Sequence, residues 1–222
     1  MSPESSLIYD LPAVTVRRIA VSRMSNNVYL LTAKKSGVQV LIDAADDAAA
    51  IGEMITEATG DTPCSPGLRA ILTTHQHWDH IRALPALAQG SEAELAAGQQ
   101  DAAAIEAETN LTIDRRLENG QSVQYDGIAL DVIHLRGHTP GSVAFVYPVE
   151  DGPTHIFTGD SLFPGGVGKT SSAADFGQLI DDVESRLFSA YDDDSIIHPG
   201  HGDPTTLGVE RPKLPQWRER GW

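Results

Sequence analysis

Four potential metal ligands, His75, His77, Asp79 and His80, crowd into T-H-Q-H-W-D-H at residues 74–80, directly behind the apolar run 68–73. Imidazole and carboxylate are the donors that zinc and iron take when no thiolate is offered. Alternate residues of an extended segment point the same way, so His75 and His77 can face one ion. Asp79 and His80 then turn towards a second position nearby. Four ligands here are too many for one tetrahedral ion that must also leave a place for water or substrate, so the spacing points to two metals.

The rest of the chain supplies further donors at the ends of apolar runs. His138 lies in R-G-H-T-P-G-S, Asp160 in I-F-T-G-D-S-L-F and His201 in I-I-H-P-G-H-G. Each lies beside a glycine, which lets backbone approach closely. Asp160, with two carboxylate oxygens, is the natural bridge between ions. Thr139 and Ser142 are candidates for orienting His138. The remaining histidines, His134, His155 and His198, sit in or beside strand patterns and read as structural or surface residues. Trp78, between two ligand candidates, reads as packing in preference to a pocket wall.

Composition narrows the partners. A formal net charge of −15 repels phosphate backbones and argues against nucleic acid. A single cysteine, Cys64, rules out a disulfide within the chain and argues against a thiolate site. No run reaches the roughly 18 apolar residues of a membrane span, and no basic, apolar leader opens the chain, so no membrane partner and a cytoplasmic location are expected. G-G-V-G-K-T, residues 165–170, lacks the spacing of a nucleotide-binding P-loop. The expected partner is a small-molecule substrate, and the expected state a monomer or homodimer.

Runs rich in β-branched residues predict strands at 14–20, 28–33, 38–42, 68–73, 122–125, 128–135, 143–147, 156–158 and 196–197. Helical spacing marks 46–59 and 175–191, with shorter helices at 81–88 and 99–108. Strands followed by a helix, twice over, argue for a sandwich over a parallel dinucleotide-binding sheet. The tail carries Trp217 and Trp222, which are expected to pin the C-terminus to the body or to a second subunit.

T-H-Q-H-W-D-H, G-H-T-P-G-S, F-T-G-D-S-L-F and P-G-H-G, in this order, resemble the metallo-β-lactamase superfamily, from about Asn26 to Arg211. G-D-S-L-F-P-G-G-V-G-K-T and P-G-H-G-D-P-T-T-L-G-V-E-R look most like its glyoxalase II-like (hydroxyacylglutathione hydrolase-like) members. The resemblance implies an α+β fold, a four-layer αββα sandwich, here a single domain over residues 1–222. It implies a first metal held by His75, His77 and His138, a second held by Asp79, His80 and His201, and Asp160 between them. Two divalent ions are expected, zinc first, with iron or manganese as alternatives. Lys169 matches a basic residue that contacts the thiol part of the substrate. The implied activity is thioester hydrolysis of a 2-hydroxyacyl-thiol by hydroxide generated at the metals, with Asp79 as the catalytic carboxylate. Residues 202–222 are too few for the helical domain that grips glutathione in those enzymes, so the resemblance does not carry glutathione over as the thiol. The alternatives are a mononuclear iron oxidoreductase resembling persulfide dioxygenases, and a lactonase or phosphodiesterase on the same site. A true β-lactamase and a metal-stabilised binding module are less favoured.

Overall fold

Residues 5–221 are described in a computed structural model. The first sheet runs in chain order: β1 (Ser6–Asp10), β2 (Val14–Val21), β3 (Asn26–Ala33), β4 (Val38–Ile42), β5 (Gly67–Thr73), β6 (Glu94–Gly98) and β7 (Arg115–Leu117). Pairing is antiparallel up to β4 and parallel from β4 to β7. Parallel neighbours need crossovers, and α1 (Ala48–Glu57), α2 (Leu84–Ala88) and α3 (Ala102–Thr109) lie on them in turn.

The second sheet begins with β8 (Ser122–Tyr125), β9 (Ile128–His134), β10 (Val143–Tyr147) and β11 (His155–Gly159). A small hairpin, β12 (Leu162–Phe163) and β13 (Gly166–Val167), precedes α4 (Ala173–Val183). Then β14 (Ile196–Pro199) returns parallel to β11, β15 (Thr205–Thr206) closes the edge, and α5 (Leu207–Glu210) and α6 (Leu214–Arg220) follow.

Side-chain alternation along the strands separates three apolar cores. Leu30, Leu41 and Ile71 pack under α1 and α3 with Ile51, Met54 and Ile105. Leu31, Val40 and Leu72 meet Leu130, Val132 and Phe145 between the sheets. Ile156 and Ile197 pack with Leu179, Ile180 and Val183 of α4 and with Trp217. The layers are therefore helix, sheet, sheet, helix.

The predicted elements are present with shifted ends. The helix expected at 99–108 spans 102–109, because 94–98 form the buried parallel strand β6. Its sequence, E-L-A-A-G, has no β-branched residue, and pairing between neighbours overrides its weak strand propensity. The helix expected at 175–191 runs 173–183 and then widens into a π-turn at 184–188. Trp217 is buried edge-on against Phe188, 6.3 Å between ring centres, and anchors α6 to the body. Trp222 lies outside the described residues.

His155 and His198 form a buried pair on neighbouring strands. Their rings stack at 5.2 Å with Nδ1 and Nε2 2.9 Å apart, so one donates to the other. Phe157 stacks on His198, and Tyr9 meets both rings edge-on. Burial holds His155 down to about 4. Burial, with His155 and Arg18 nearby, holds His198 down to about 3. The folded chain keeps both neutral, whereas the unfolded chain takes up protons near pH 6.5. Their contribution to stability is full above that pH and is lost as pH falls towards 4. This pair is expected to contribute a loss of about 2 kcal/mol per histidine, about 4 kcal/mol together, to denaturant stability between about pH 7.5 and about pH 5. The double variant His155→Phe/His198→Phe should lose clearly less over the same range.

Candidate metal centre

All seven ligand candidates converge where strands of both sheets end. His75 and His77 follow β5, and a 3₁₀ turn over Trp78–His80 carries Asp79 and His80. His138 lies between β9 and β10, Asp160 follows β11, and His201 follows β14. Ligand atoms gather into overlapping trios: His75, His77 and His138; Asp79, His80 and His201; and His75, His80 and Asp160, each within 4.8 Å. His80 Nε2 lies 3.2 Å from His201 Nε2 and 3.4 Å from Asp160 Oδ1. His201 Nε2 lies 3.4 Å from Asp79 Oδ2 and 3.5 Å from Asp160 Oδ2. His138 Nε2 lies 3.6 Å from Asp160 Oδ2. Two donors at ~2.0–2.1 Å from one tetrahedral zinc lie about 3.3 Å apart, so these spacings fit shared cations.

The outer ring nitrogens explain why Nε2 points inward. Nδ1 of His80 donates to Asp43 Oδ2 at 2.9 Å, and Nδ1 of His75 to Thr74 Oγ1 at 3.0 Å. Thr74 Oγ1 donates in turn to Asp43 Oδ2 at 2.8 Å. Nδ1 of His138 donates to the Lys169 carbonyl at 2.7 Å, and Nδ1 of His201 to the Met24 carbonyl at 2.9 Å. Fixing the proton on Nδ1 leaves the Nε2 lone pair free for a metal. The buried Nε2 atoms of His75 and His138 and Oδ1 of Asp160 lack hydrogen-bond partners within the protein, and a bound cation satisfies all three.

The electrostatics ask for positive charge. Burial pushes against the ionised form of Asp79, but hydrogen bonds from His201 and Asn26 outweigh it and hold the carboxyl down to about 2. Burial likewise opposes charge on Asp160, yet His201 and His80 hold it well below the usual carboxylate range. Burial works against a cationic His80, while Asp43 and Asp160 raise it to about 10. His201 is raised to about 10 against its own burial by Asp160 and Asp79. Burial and the neighbouring imidazoles hold His75 well below its ordinary value. The same carboxylates that favour a proton on His80 and His201 would favour divalent cations in its place.

Three supporting residues were not singled out in the sequence. Asp43 adopts a left-handed backbone (φ 60°) at the end of β4 and takes bonds from Thr74 and His80. Asp101 is wholly buried and ties two ligand loops together, accepting from Gln76 N, Thr139 Oγ1 and Gly141 N. Asn26 Nδ2 donates to Asp79 Oδ2 at 2.9 Å. A buried Asp directly behind a β-branched strand is the signal that could have marked Asp43. Nothing in the local pattern distinguishes Asp101 from a helix cap.

Two expectations change. Thr139 donates to Asp101 and bonds Ser142, and His138 is oriented by the Lys169 carbonyl instead. Trp78 is 50% exposed, with the Arg82 guanidinium 5.2 Å over its ring, so it is not a core anchor. The Lys169 side chain is exposed beside the cluster and has no carboxylate partner among the described residues. His134, His155 and His198 stay outside the cluster, as expected.

Close backbone approach is required at Gly200, where a Cβ would stand 2.2 Å from Asp160 Oδ1 and 2.7 Å from His80 Cε1. Gly168 is equally tight, 1.8 Å from the Asp160 carbonyl. Gly200→Ala should displace Asp160 and lower metal content by at least one ion per chain, with little change in far-UV circular dichroism. Elemental analysis of the purified variant measures this.

Comparison with known proteins bears on this geometry. The hydroxyacylglutathione hydrolase GloC of Haemophilus influenzae is 33% identical over 163 residues, 67% of this chain and 75% of its own. The solved structure of TTHA1623 in a di-iron-bound form is 31% identical, with a TM-score of 0.63, over 87% of this chain and 96% of that one. ETHE1 from Myxococcus xanthus shares the fold at 24% identity and a TM-score of 0.75, over 92% of this chain and 84% of that one. The family model for the metallo-beta-lactamase superfamily matches residues 21–201, most of the chain and every ligand candidate. With that match and the sandwich above, the chain belongs to the metallo-β-lactamase superfamily.

Proposed function

We propose that this protein is a binuclear metallohydrolase that cleaves a thioester, an S-(2-hydroxyacyl) thiol. His75, His77 and His138 would hold one cation and Asp79, His80 and His201 the other, with Asp160 within reach of both trios. The observation that carries the reading is the placement of Asp160, with Oδ1 3.4 Å from His80 Nε2 and Oδ2 3.6 Å from His138 Nε2. One carboxylate thus reaches members of both trios. The likeness to a hydroxyacylglutathione hydrolase and to a di-iron structure supports the reaction class and the two-ion count.

Two divalent cations, zinc first, supply Lewis acidity and a water that ionises near neutral pH. The protein's own groups do the rest. Asp79, ionised throughout the working range and held by Asn26, orients the attacking water and takes its proton. Water oxygen bonds to the thioester carbonyl carbon, the C–S bond breaks, and the thiolate leaves with the electron pair. A thiolate needs no strong general acid. The free ammonium of Lys169 anchors an anionic end of the thiol half.

Protein purified without added metal should contain close to two ions per chain and hydrolyse an S-lactoyl thiol. Asp79→Ala should lower kcat by about 10²–10⁴-fold. Lys169→Ala should raise KM for an anionic thiol ester with a smaller change in kcat. A single iron per chain, no thioesterase activity, and oxygen uptake with a persulfide would replace this reading with an oxidoreductase.

A further inference from the structure

The mouth of the metal centre has two chemically different ends. At the His138 end, Lys169 projects an unpaired charge from the same residue whose carbonyl holds His138. At the His201 end two apolar side chains stand outside the polar ligand cluster. Met24, in the turn between β2 and β3, bonds His201 Nδ1 through its carbonyl while its side chain is 50% exposed. The Phe163 ring, on β12, lies 6.4 Å from the His201 ring. Trp78 stands between the ligand candidates His77 and Asp79, and its ring is half exposed with Arg82 over it. Among the described residues the large exposed hydrophobics are Leu7, Met24, Trp78 and Val209, and two of these four sit beside ligand candidates. An apolar side chain left in water next to a reacting centre forgoes burial that a substrate can supply, at roughly 25 cal/mol per Å².

We infer that the His201 end, with Met24 and Phe163, receives an apolar acyl group larger than lactoyl. This rests on the thioesterase reading above. A thioester whose carbonyl lies between the two trios would send its acyl and thiol halves towards different ends. The anionic thiol half takes the Lys169 end, and the acyl chain takes the other. The preferred substrate class is then a thioester of a 2-hydroxy acid with an aliphatic or aromatic tail. Arg23, exposed beside Met24 and without a carboxylate partner among the described residues, defines the specific rival: an acyl chain ending in a carboxylate.

The test compares S-lactoyl, S-(2-hydroxyoctanoyl) and S-succinyl thioesters of 3-mercaptopropionate on the metal-loaded protein. The expected result is kcat/KM at least about tenfold higher for 2-hydroxyoctanoyl than for lactoyl. Met24→Ser and Phe163→Ser should each reduce that ratio, chiefly through KM. Equal rates for lactoyl and 2-hydroxyoctanoyl, or a preference for succinyl, would overturn the inference and leave the thioesterase reading standing. If no thioester is cleaved, the thioesterase reading fails, and binding still decides the polarity of the mouth. Calorimetry should then report tighter binding of 2-hydroxyoctanoate than of lactate, with the difference reduced in Met24→Ser and in Phe163→Ser. Equal binding of the two acids would overturn the inference there as well.

Discussion

An imidazole offers a lone pair to a cation only while its other nitrogen is held, and much of this structure answers that demand. Four of the five clustered histidines are anchored at Nδ1 by a hydroxyl, a carboxylate or a backbone carbonyl. Each anchor fixes a piece of chain. Asp43 takes a left-handed conformation to reach His80 and Thr74 together. The turn between β2 and β3 places the Met24 carbonyl, and the exit from the β12–β13 hairpin places that of Lys169. Loops that look like simple connectors are therefore part of the centre.

The sandwich makes the convergence possible. Separate apolar cores stabilise each sheet against its own helices, and a third holds the sheets together. The loops at one edge are then free to be shaped by polar contacts alone. Cross-ties draw that edge shut: Asn27 bonds the Pro199 and Gly202 carbonyls, Tyr29 bonds Pro199, and Asp101 joins the 74–80 and 137–142 loops. Buried carboxylates such as Asp101 are costly unless fully bonded, and its three donors meet that condition.

The sequence made the donors legible because ligand chemistry allows few residue types and T-H-Q-H-W-D-H packs them into one loop. It made most strands legible because β-branched residues mark them. It left β6 hidden, since E-L-A-A-G forms a strand only through its parallel neighbours. The supports of the centre were hidden for a related reason. Asp43, Asp101 and the carbonyls of Met24 and Lys169 act over 25 to 177 residues of separation, and no local spacing encodes such contacts. Trp78 was misread because an aromatic between ligands looks the same in sequence whether it packs inward or lines an opening.

The ligand set is divided between the halves of the chain: His75, His77, Asp79 and His80 belong to the first sheet's loops, while His138, Asp160 and His201 arrive with the second. On the ribosome, residue 201 follows residue 80 by roughly 6–24 s at 5–20 residues per second. Throughout that interval the nascent chain exposes a partial chelate that any available transition metal can enter. Asp160 and His201 join the cluster only when the second sheet has docked. The complete donor set therefore exists only once the two sheets have docked.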